Sequence, residues 1–426
     1  MQAVKSITVV GLGYVGLPLA LLADKKGFTV TGLDINTSII ESLKKNTPTV
    51  GDVSKDALKN SSIHFTTQVE AIENSDAVIV CVPTPVNEDK SPDLRPLKGA
   101  VSSVVPHIKK GGLLVIESTV NPGVCDDIVI PIIEKADRKV GKDIYLAHCP
   151  ERINPGDLKW NVSNINRVIG ANSKQELDLA LEMYKKIVDA EIKPMATLKE
   201  AEAVKVVENS FRDINIAFVN ELAMSFHKLG INVENVIDGA ATKPFAFMAH
   251  HPGAGVGGHC IPVDPYYLIE YANGFGFEHE FLRLARSINE SMPQFTVDLL
   301  IEALNKKKKP LKDTKVTLLG LSYKQNVGDD RESPAYAIKA LLESLGADLT
   351  VYDPYISKES TASNLTEALE GAKAIVIATA HQEFKKLQEN AGIPSSVESI
   401  IDGRNMFKDS KQTFINSGIE YVGIGV

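Results

Sequence analysis

Ile7-Thr8-Val9-Val10-Gly11-Leu12-Gly13-Tyr14-Val15-Gly16 is the stretch whose reading decides the fold. A β-branched run passes straight into G-x-G-x-x-G, and the residues after Gly16 read as a helix. The motif means little alone; a strand before it and a helix after it supply the context it needs. Gly11 permits the tight turn, Gly13 lets the backbone approach a pyrophosphate, and Gly16 allows close helix–strand packing. Tyr14 and Val15 lie between them and complete the expected cofactor-binding turn. The helix N-terminus brings N–H donors and a positive dipole, so the anion needs no basic residue. Asp34 ends the next strand, where it would accept hydrogen bonds from the adenosine ribose hydroxyls. Its charge would repel a 2′-phosphate and no arginine follows it, which selects NAD over NADP.

Outward from this turn, short β-branched runs alternate with helical patterns. Strands are expected at 7–10, 29–33, 77–82, 113–117, 144–147 and 167–169. Such alternation predicts βαβ units and a mostly parallel sheet with helices on both faces. From 197 to 229 the pattern becomes one long helix ended by Gly230. The run Lys306-Lys307-Lys308-Lys309-Pro310 reads as a solvated linker. Beyond it, strands near 316–319, 349–352, 374–378 and 399–401 again alternate with helices. The expected fold is α/β: two Rossmann-like doubly wound domains, residues 1–196 and 306–426, joined by a central helical domain, 197–305, with a long helix.

Composition removes several function classes. With 44% hydrophobic and 23% charged residues, the 426-residue chain is not broadly disordered. A net charge of −8 argues against a nucleic-acid partner, whose phosphates want a basic surface. An anionic ligand must be met by local donors instead. No apolar run approaches the roughly 18–20 residues of a membrane span, and the N-terminus lacks the pattern of a signal peptide. A soluble, cytoplasmic protein is expected. Its four cysteines are too scattered for a C-x-x-C metal or redox pattern, and no metal is expected. Cys81 reads as a core residue, and Cys125 and Cys149 as structural.

The candidate chemistry lies beyond strand ends and in the middle of the chain. Val82-Pro83-Thr84-Pro85 and Glu117-Ser118-Thr119 follow strands, where ligands bind in open α/β sheets, so Thr84 and Thr119 read either as ligand contacts or as turn residues. Glu202, Lys205, Asn209 and Arg212 share one helix face at three- and four-residue spacing. Apolar Ala203, Val204, Val206, Val207 and Phe211 surround them, so this polar stripe on a buried helix needs partners. Lys205 and Asn209, one turn apart, could donate together to an oxyanion. Gly253, Gly255, Gly257 and Gly258 crowd a loop that ends in His259-Cys260, giving flexibility and close backbone approach. Cys260, with the carboxylate of Asp264 four residues on, suits a nucleophile with a nearby base. A structural thiol is the other reading.

The sequence resembles the nucleotide-sugar 6-dehydrogenases, the UDP-glucose/GDP-mannose dehydrogenase family, over essentially its whole length. GLGYVG, VPTP, ESTV and CPERINPG (149–156) carry the resemblance. So do EAVKVVENSFRDINIAFVNEL (202–222), PGAGVGGHCIPVDPYYL, RESP (331–334) and DGR (402–404). It implies a four-electron oxidation of a sugar C6 alcohol to a carboxylate with two NAD, feeding polysaccharide biosynthesis. Cys260 is then the nucleophile, forming a thiohemiacetal and then a thioester, with Lys205 and Asn209 stabilising alkoxide and oxyanion. Asp264 assists proton transfer, while Thr119 and Glu151 position water and Glu151 serves as hydrolytic base. The C-terminal domain receives the UDP part through Lys324 and Arg404. Gly320-Leu321-Ser322-Tyr323-Lys324 lacks the glycine pattern and should hold no second dinucleotide. Ser333-Pro334 reads as a helix cap, which weakens the case for Arg331 as a ligand.

Within the family, CPER and GGHCIPVDP are similar to the enzymes of UDP-N-acetylhexosamines, which implies Arg152 as a contact of the acetamido sugar or of its nucleotide and Gly257 as a substrate contact. Thr242-Lys243-Pro244-Phe245 favours UDP-N-acetylglucosamine; SFRDINIAF is as similar to the UDP-N-acetylmannosamine enzymes. The resemblance also implies a homodimer built on the middle helices. A two-electron hydroxyacid-type dehydrogenase would need neither Cys260 nor a third domain. A non-catalytic nucleotide-binding regulator would not need Cys260, Lys205, Asn209 and Asp264 together.

Overall fold

The computed structural model describes residues 4–51, 53–87, 91–153, 159–388 and 392–426. Two compact units divide the chain: Met1–Glu208 with Tyr266–Phe277, and Asn209–Pro265 with Glu278–Val426.

The first unit is built on eight strands: β1 (Ser6–Val10), β2 (Thr29–Leu33), β3 (His64–Thr66), β4 (Ala77–Val80), β5 (Gly112–Ile116), β6 (Ile144–His148), β7 (Arg167–Gly170) and β8 (Ile192–Met195). Their order is β3-β2-β1-β4-β5-β6-β7-β8, the 3-2-1-4-5-6 winding of a dinucleotide-binding sheet with two strands added. All neighbours are parallel except β6 and β7, which meet antiparallel at His148 and Gly170. β4 and β5 are buried on every residue, as expected of central strands covered on both faces. Short β3 and β8 were not anticipated: three and four residues leave almost no periodicity to read.

The second unit carries β9 (Lys315–Leu319), β10 (Asp348–Tyr352), β11 (Ala374–Ile377), β12 (Ser399–Asp402) and β13 (Glu420–Gly423), all parallel, in the order β10-β9-β11-β12-β13. This is the 2-1-3-4-5 doubly wound order, a different winding from that of the first sheet. Residues of the helices Leu198–Leu229 and Glu280–Lys306 (Val219, Ala223, Met292, Leu300) share one core with Val316, Leu318 and Val376 of this sheet.

The fold class read from the sequence holds: α/β, with two doubly wound domains and a helical middle whose long helix spans Leu198–Leu229. Gly230, at φ +68°, ends it. The lysine run departs from its reading as a free linker. Lys306 pairs with Glu420 at 3.0 Å and Lys309 with Glu398 at 2.5 Å, fastening the end of Glu280–Lys306 to the C-terminal sheet. Among the described residues no helix is long and apolar enough to cross a membrane.

Candidate active site

The glycine turn is explained atom by atom. Gly11 has φ +90°, and a Cβ there would stand 2.9 Å from the Cys81 carbonyl oxygen. A Cβ on Gly16 would overlap the carbonyl of Gly11, whereas nothing lies within 4 Å of one built on Gly13. Packing therefore demands the outer glycines and leaves space beside the middle one. The helix α1 (Gly16–Lys25) has neither a side-chain cap at Val15 nor an acidic residue in its first turn, so the positive end of its dipole faces the turn without a carboxylate of its own helix against it. Asp34 Oδ2 accepts from Leu12 N and Oδ1 from Asn36 N, both at 2.8 Å, fixing the carboxylate beside this turn. Tyr14 is half exposed, and Ile35, missed in the sequence, is 97% exposed next to Asp34. Open space beside Gly13, a helix N-terminus with no acidic cap and a fixed carboxylate fit a dinucleotide.

The loops after β4 and β5 are joined. Thr84 Oγ1 donates to the Thr119 carbonyl at 2.6 Å, Ser118 Oγ donates to the Val82 carbonyl at 2.7 Å, and the Tyr267 hydroxyl donates to the Thr84 carbonyl. Beyond β6, Glu151 is 5% exposed. Its Oε1 accepts from Arg152 N and Ile153 N at 2.6 Å, and its Oε2 from Arg167 Nη2 at 3.1 Å. Arg152 turns its guanidinium to Glu208 and the Asn166 carbonyl. The end of CPERINPG, 154–156, lies outside the described residues. Arg167 Nη1 also reaches Glu117 Oε1 at 3.2 Å, where the Tyr184 hydroxyl donates as well. Burial, reinforced by Glu151 and opposed by Arg167, pushes the Glu117 carboxyl up to about 7. Sequence reasoning passed over Arg167 and Tyr184. The only signal was a charge embedded in the apolar run Arg167-Val168-Ile169.

Cys81, Cys125 and Cys149 are buried, as expected of structural thiols, and burial pushes the Cys149 thiol up to about 12. Cys125, His148 and Glu202 bring donor atoms within 4.8 Å of one another. Both Glu202 oxygens already accept N–H bonds, from Gly123 at 2.6 Å and Cys125 at 2.8 Å. Glu202 thus caps the helical turn Cys125–Val129, a structural task.

Along the long helix, Glu202 and Asn209 are buried and Lys205 is half-buried, but Arg212 is exposed. The buried stripe turns instead to Asp213, which meets Arg286 Nη1 at 2.6 Å and Asn289 Nδ2 at 2.8 Å. Val207 and Phe211, read as buried flanks, are 52% and 46% exposed. In the second unit, Asn209 Nδ2 donates to Asp264 Oδ2 at 2.5 Å, with both residues buried. Asp264 N and Val263 N donate to the Cys260 carbonyl at 2.8 and 3.1 Å, so one turn separates a partly exposed thiol from this buried carboxylate.

The glycine-rich loop is pinned rather than flexible. Gly253 N donates to Asn220 Oδ1 at 3.0 Å, Ala254 N to the Gly403 carbonyl at 2.9 Å, and Gly258 N to the Arg331 carbonyl at 2.9 Å. A Cβ on Gly255 would stand 2.7 Å from Pro334, and one on Gly257 2.6 Å from Tyr323. Close packing against the C-terminal sheet's loops therefore requires these glycines. Lys324 is half-buried after β9, and Arg404 Nε donates to the Ala378 carbonyl at 3.0 Å. Arg331 is held by Asp329, and Ser333 caps the helix Pro334–Ser344, as its sequence suggested.

Asp353, at the end of β10, stands where a ribose-binding acid would. Its Oδ2 accepts from Leu321 N, Ser322 N and His381 Nε2, its Oδ1 from Tyr355 N and Ile356 N. Burial pushes this carboxyl up, but His381 and the backbone N–H groups outweigh it and hold it well below the ordinary carboxylate range. No capacity is left for a sugar hydroxyl.

The fold, the glycine turn and its carboxylate define an NAD-binding α/β oxidoreductase. The NAD binding domain of the UDP-glucose/GDP-mannose dehydrogenase family matches residues 5–188, its central domain 199–291 and its UDP binding domain 317–409. The chain belongs to this family of NAD-dependent nucleotide-sugar dehydrogenases. It is 38% identical over 420 residues to the UDP-N-acetyl-D-mannosamine dehydrogenase of Pyrococcus horikoshii, covering 97% of this chain and 98% of that one. It is also 38% identical over 389 residues to the UDP-N-acetyl-D-glucosamine 6-dehydrogenase of Pseudomonas aeruginosa, covering 89% and 92%. The solved structure of the P. horikoshii UDP-D-ManNAc dehydrogenase superposes with a TM-score of 0.90 at 36% identity, over 99% of both chains.

Proposed function

We propose that this enzyme oxidises the C6 alcohol of a UDP-N-acetylhexosamine, UDP-N-acetylglucosamine in the first place, to the uronic acid through an acyl group held on Cys260. The observation that carries the reading is the turn from Cys260 to Asp264, with Asp264 buried against Asn209. NAD, when held at the turn of Gly11, Gly13 and Gly16, would supply the hydride acceptor for each of the two oxidations at C6. Lys205 and Asn209 donate to the C6 oxygen as it becomes an alkoxide, a charge that buried donors stabilise far better than water. Asp264, directly or through a water, takes protons from that oxygen, and Asn209 holds its carboxylate in place. The Cys260 sulfur adds to the aldehyde carbon and the aldehyde oxygen is protonated, giving a thiohemiacetal. Loss of its C6 hydride and its hydroxyl proton leaves a thioester. Water, positioned by Thr119 and Glu151, adds to the acyl carbon, and the C–S bond breaks. Alcohol, water and two NAD thus become carboxylate, two NADH and three protons.

Lys324 and Arg404 are assigned to the UDP part, and Arg152 and Gly257 to the sugar side. The division at 1–196, 197–305 and 306–426 is supported by the three family matches. Thr242-Lys243-Pro244-Phe245 supports the gluco epimer. The fuller coverage of the P. horikoshii relative supports UDP-N-acetylmannosamine as second reading. Incubation with NAD and both sugars decides: two NADH per sugar with one epimer identifies the substrate, and one NADH per sugar defeats the four-electron reading. NAD, a UDP-sugar and four free cysteines all suit the cytoplasm.

Asp34→Ala is expected to raise the KM for NAD and to narrow its preference over NADP; unchanged kinetics with both cofactors would remove Asp34 from the site. We further assign a homodimer to the helical middle, where Phe211 and Phe218, seven residues apart, and Phe281 with Leu284 leave apolar faces exposed. Phe218→Glu with Leu284→Glu should halve the mass seen by light scattering. A monomeric parent protein would refute the assignment.

A further inference from the structure

A general base must be aimed before it can take a proton from water. Glu151 is buried, and its orientation is set by its hydrogen bonds. Two backbone N–H groups fix its Oε1, and Arg167 Nη2 donates to its Oε2. Arg167 is itself 1% exposed, and its other terminal nitrogen is held by Glu117, which the Tyr184 hydroxyl braces in turn. Among the described residues, Glu117 Oε2 and Arg167 Nε are buried without a hydrogen bond. Packed apolar residues of the same volume are often as stable as a buried ion pair or more so, which makes stability a weak reason for this set.

We propose, resting on the assignment of Glu151 as hydrolytic base, that Arg167 is a positioning residue, held by Glu117 and Tyr184, that keeps Glu151 aimed at the attacking water. In the step it serves, water gives its oxygen to the acyl carbon and its proton to Glu151. The C–S bond then breaks, freeing the Cys260 thiolate and the uronic acid. Glu117 tunes the arrangement. While it is neutral, the guanidinium charge serves Glu151 alone; once ionised, it competes. The groups facing Glu117 are Arg167 on β7, Tyr184 on the helix Lys174–Ile187, Glu151 and Cys149 beyond β6, and Cys81 beyond β4.

The test is a single turnover with NAD and whichever of the two UDP-N-acetylhexosamines yields two NADH, quenched in acid and read by intact-protein mass spectrometry. Arg167→Lys should release both NADH at near the parent rate yet hydrolyse the acyl-enzyme about 100-fold more slowly, the usual consequence of a misplaced reacting group. Glu151→Gln should stall at the same species, and adding Arg167→Lys to it should slow hydrolysis no further. In the parent, hydrolysis should carry an inflection near pH 7 that Glu117→Gln removes and Tyr184→Phe shifts. If Glu151→Gln hydrolyses at the parent rate, the base assignment itself is wrong. If Glu151→Gln stalls while folded Glu117→Gln and Tyr184→Phe keep the parent rate and pH profile, the Arg167 inference is overturned. Those two variants decide the matter even where Arg167→Lys does not fold.

Discussion

Cys260→Ala is expected to form no uronate, while binding NAD as tightly as the parent protein. The thiol lies in the second unit, one turn before Asp264, and the glycine turn and Asp34 belong to the first. Removing the sulfur therefore leaves the cofactor cradle intact. Without it an aldehyde has nothing to hold it for a second hydride transfer. Cys260→Ser separates the steps further. A serine hydroxyl is far less acidic than a thiol and an ester is a slower acyl carrier, so this variant should still transfer a first hydride but stall before hydrolysis. Mass spectrometry after incubation with NAD and the UDP-sugar should find the sugar attached at residue 260. Two NADH per sugar at the parent rate from Cys260→Ala would make Cys260 a structural thiol and end the covalent mechanism.

Lys205→Ala should lower kcat by about 100–1,000-fold with much less change in affinity for the UDP-sugar, as for any donor whose partner charge exists only in the transition state. Lys205 and Asn209 stand one turn apart on the same helix, and Asn209 is already committed to Asp264 at 2.5 Å. The Lys205 ammonium is therefore expected to carry the larger share of the effect. Stopped-flow measurement of the first hydride transfer checks this directly. A variant with weakened sugar binding and normal single-turnover chemistry would assign Lys205 to recognition instead.

Much of this was legible in the residues, for physical reasons that differ from case to case. The turn at 11–16 could be read because each glycine answers a separate steric demand, two of which recur as overlaps any Cβ would create. The central strands were legible because burial on both faces forces unbroken apolar runs. Arg212 was misjudged for a geometric reason. Three- and four-residue steps fix a face only to within part of a turn, so over ten residues the buried stripe drifts to Asp213. The loop at 253–258 was misread because glycine permits both mobility and tight approach, and only the neighbours, Tyr323 and Pro334, distinguish them. Arg167 was invisible because its partners, Glu117 and Glu151, are 50 and 16 residues away in the chain.

The saturated carboxylate of Asp353 also has a consequence for anyone wishing to re-engineer this enzyme. Grafting a glycine fingerprint onto residues 320–325 would not create a second dinucleotide site, because the acid at the strand end already has its own chain as ligand. His381 would have to be removed as well, and the two N–H groups of Leu321 and Ser322 rerouted. An adenosine-like inhibitor, for the same reason, should bind one molecule per chain and not two, and isothermal titration would count it.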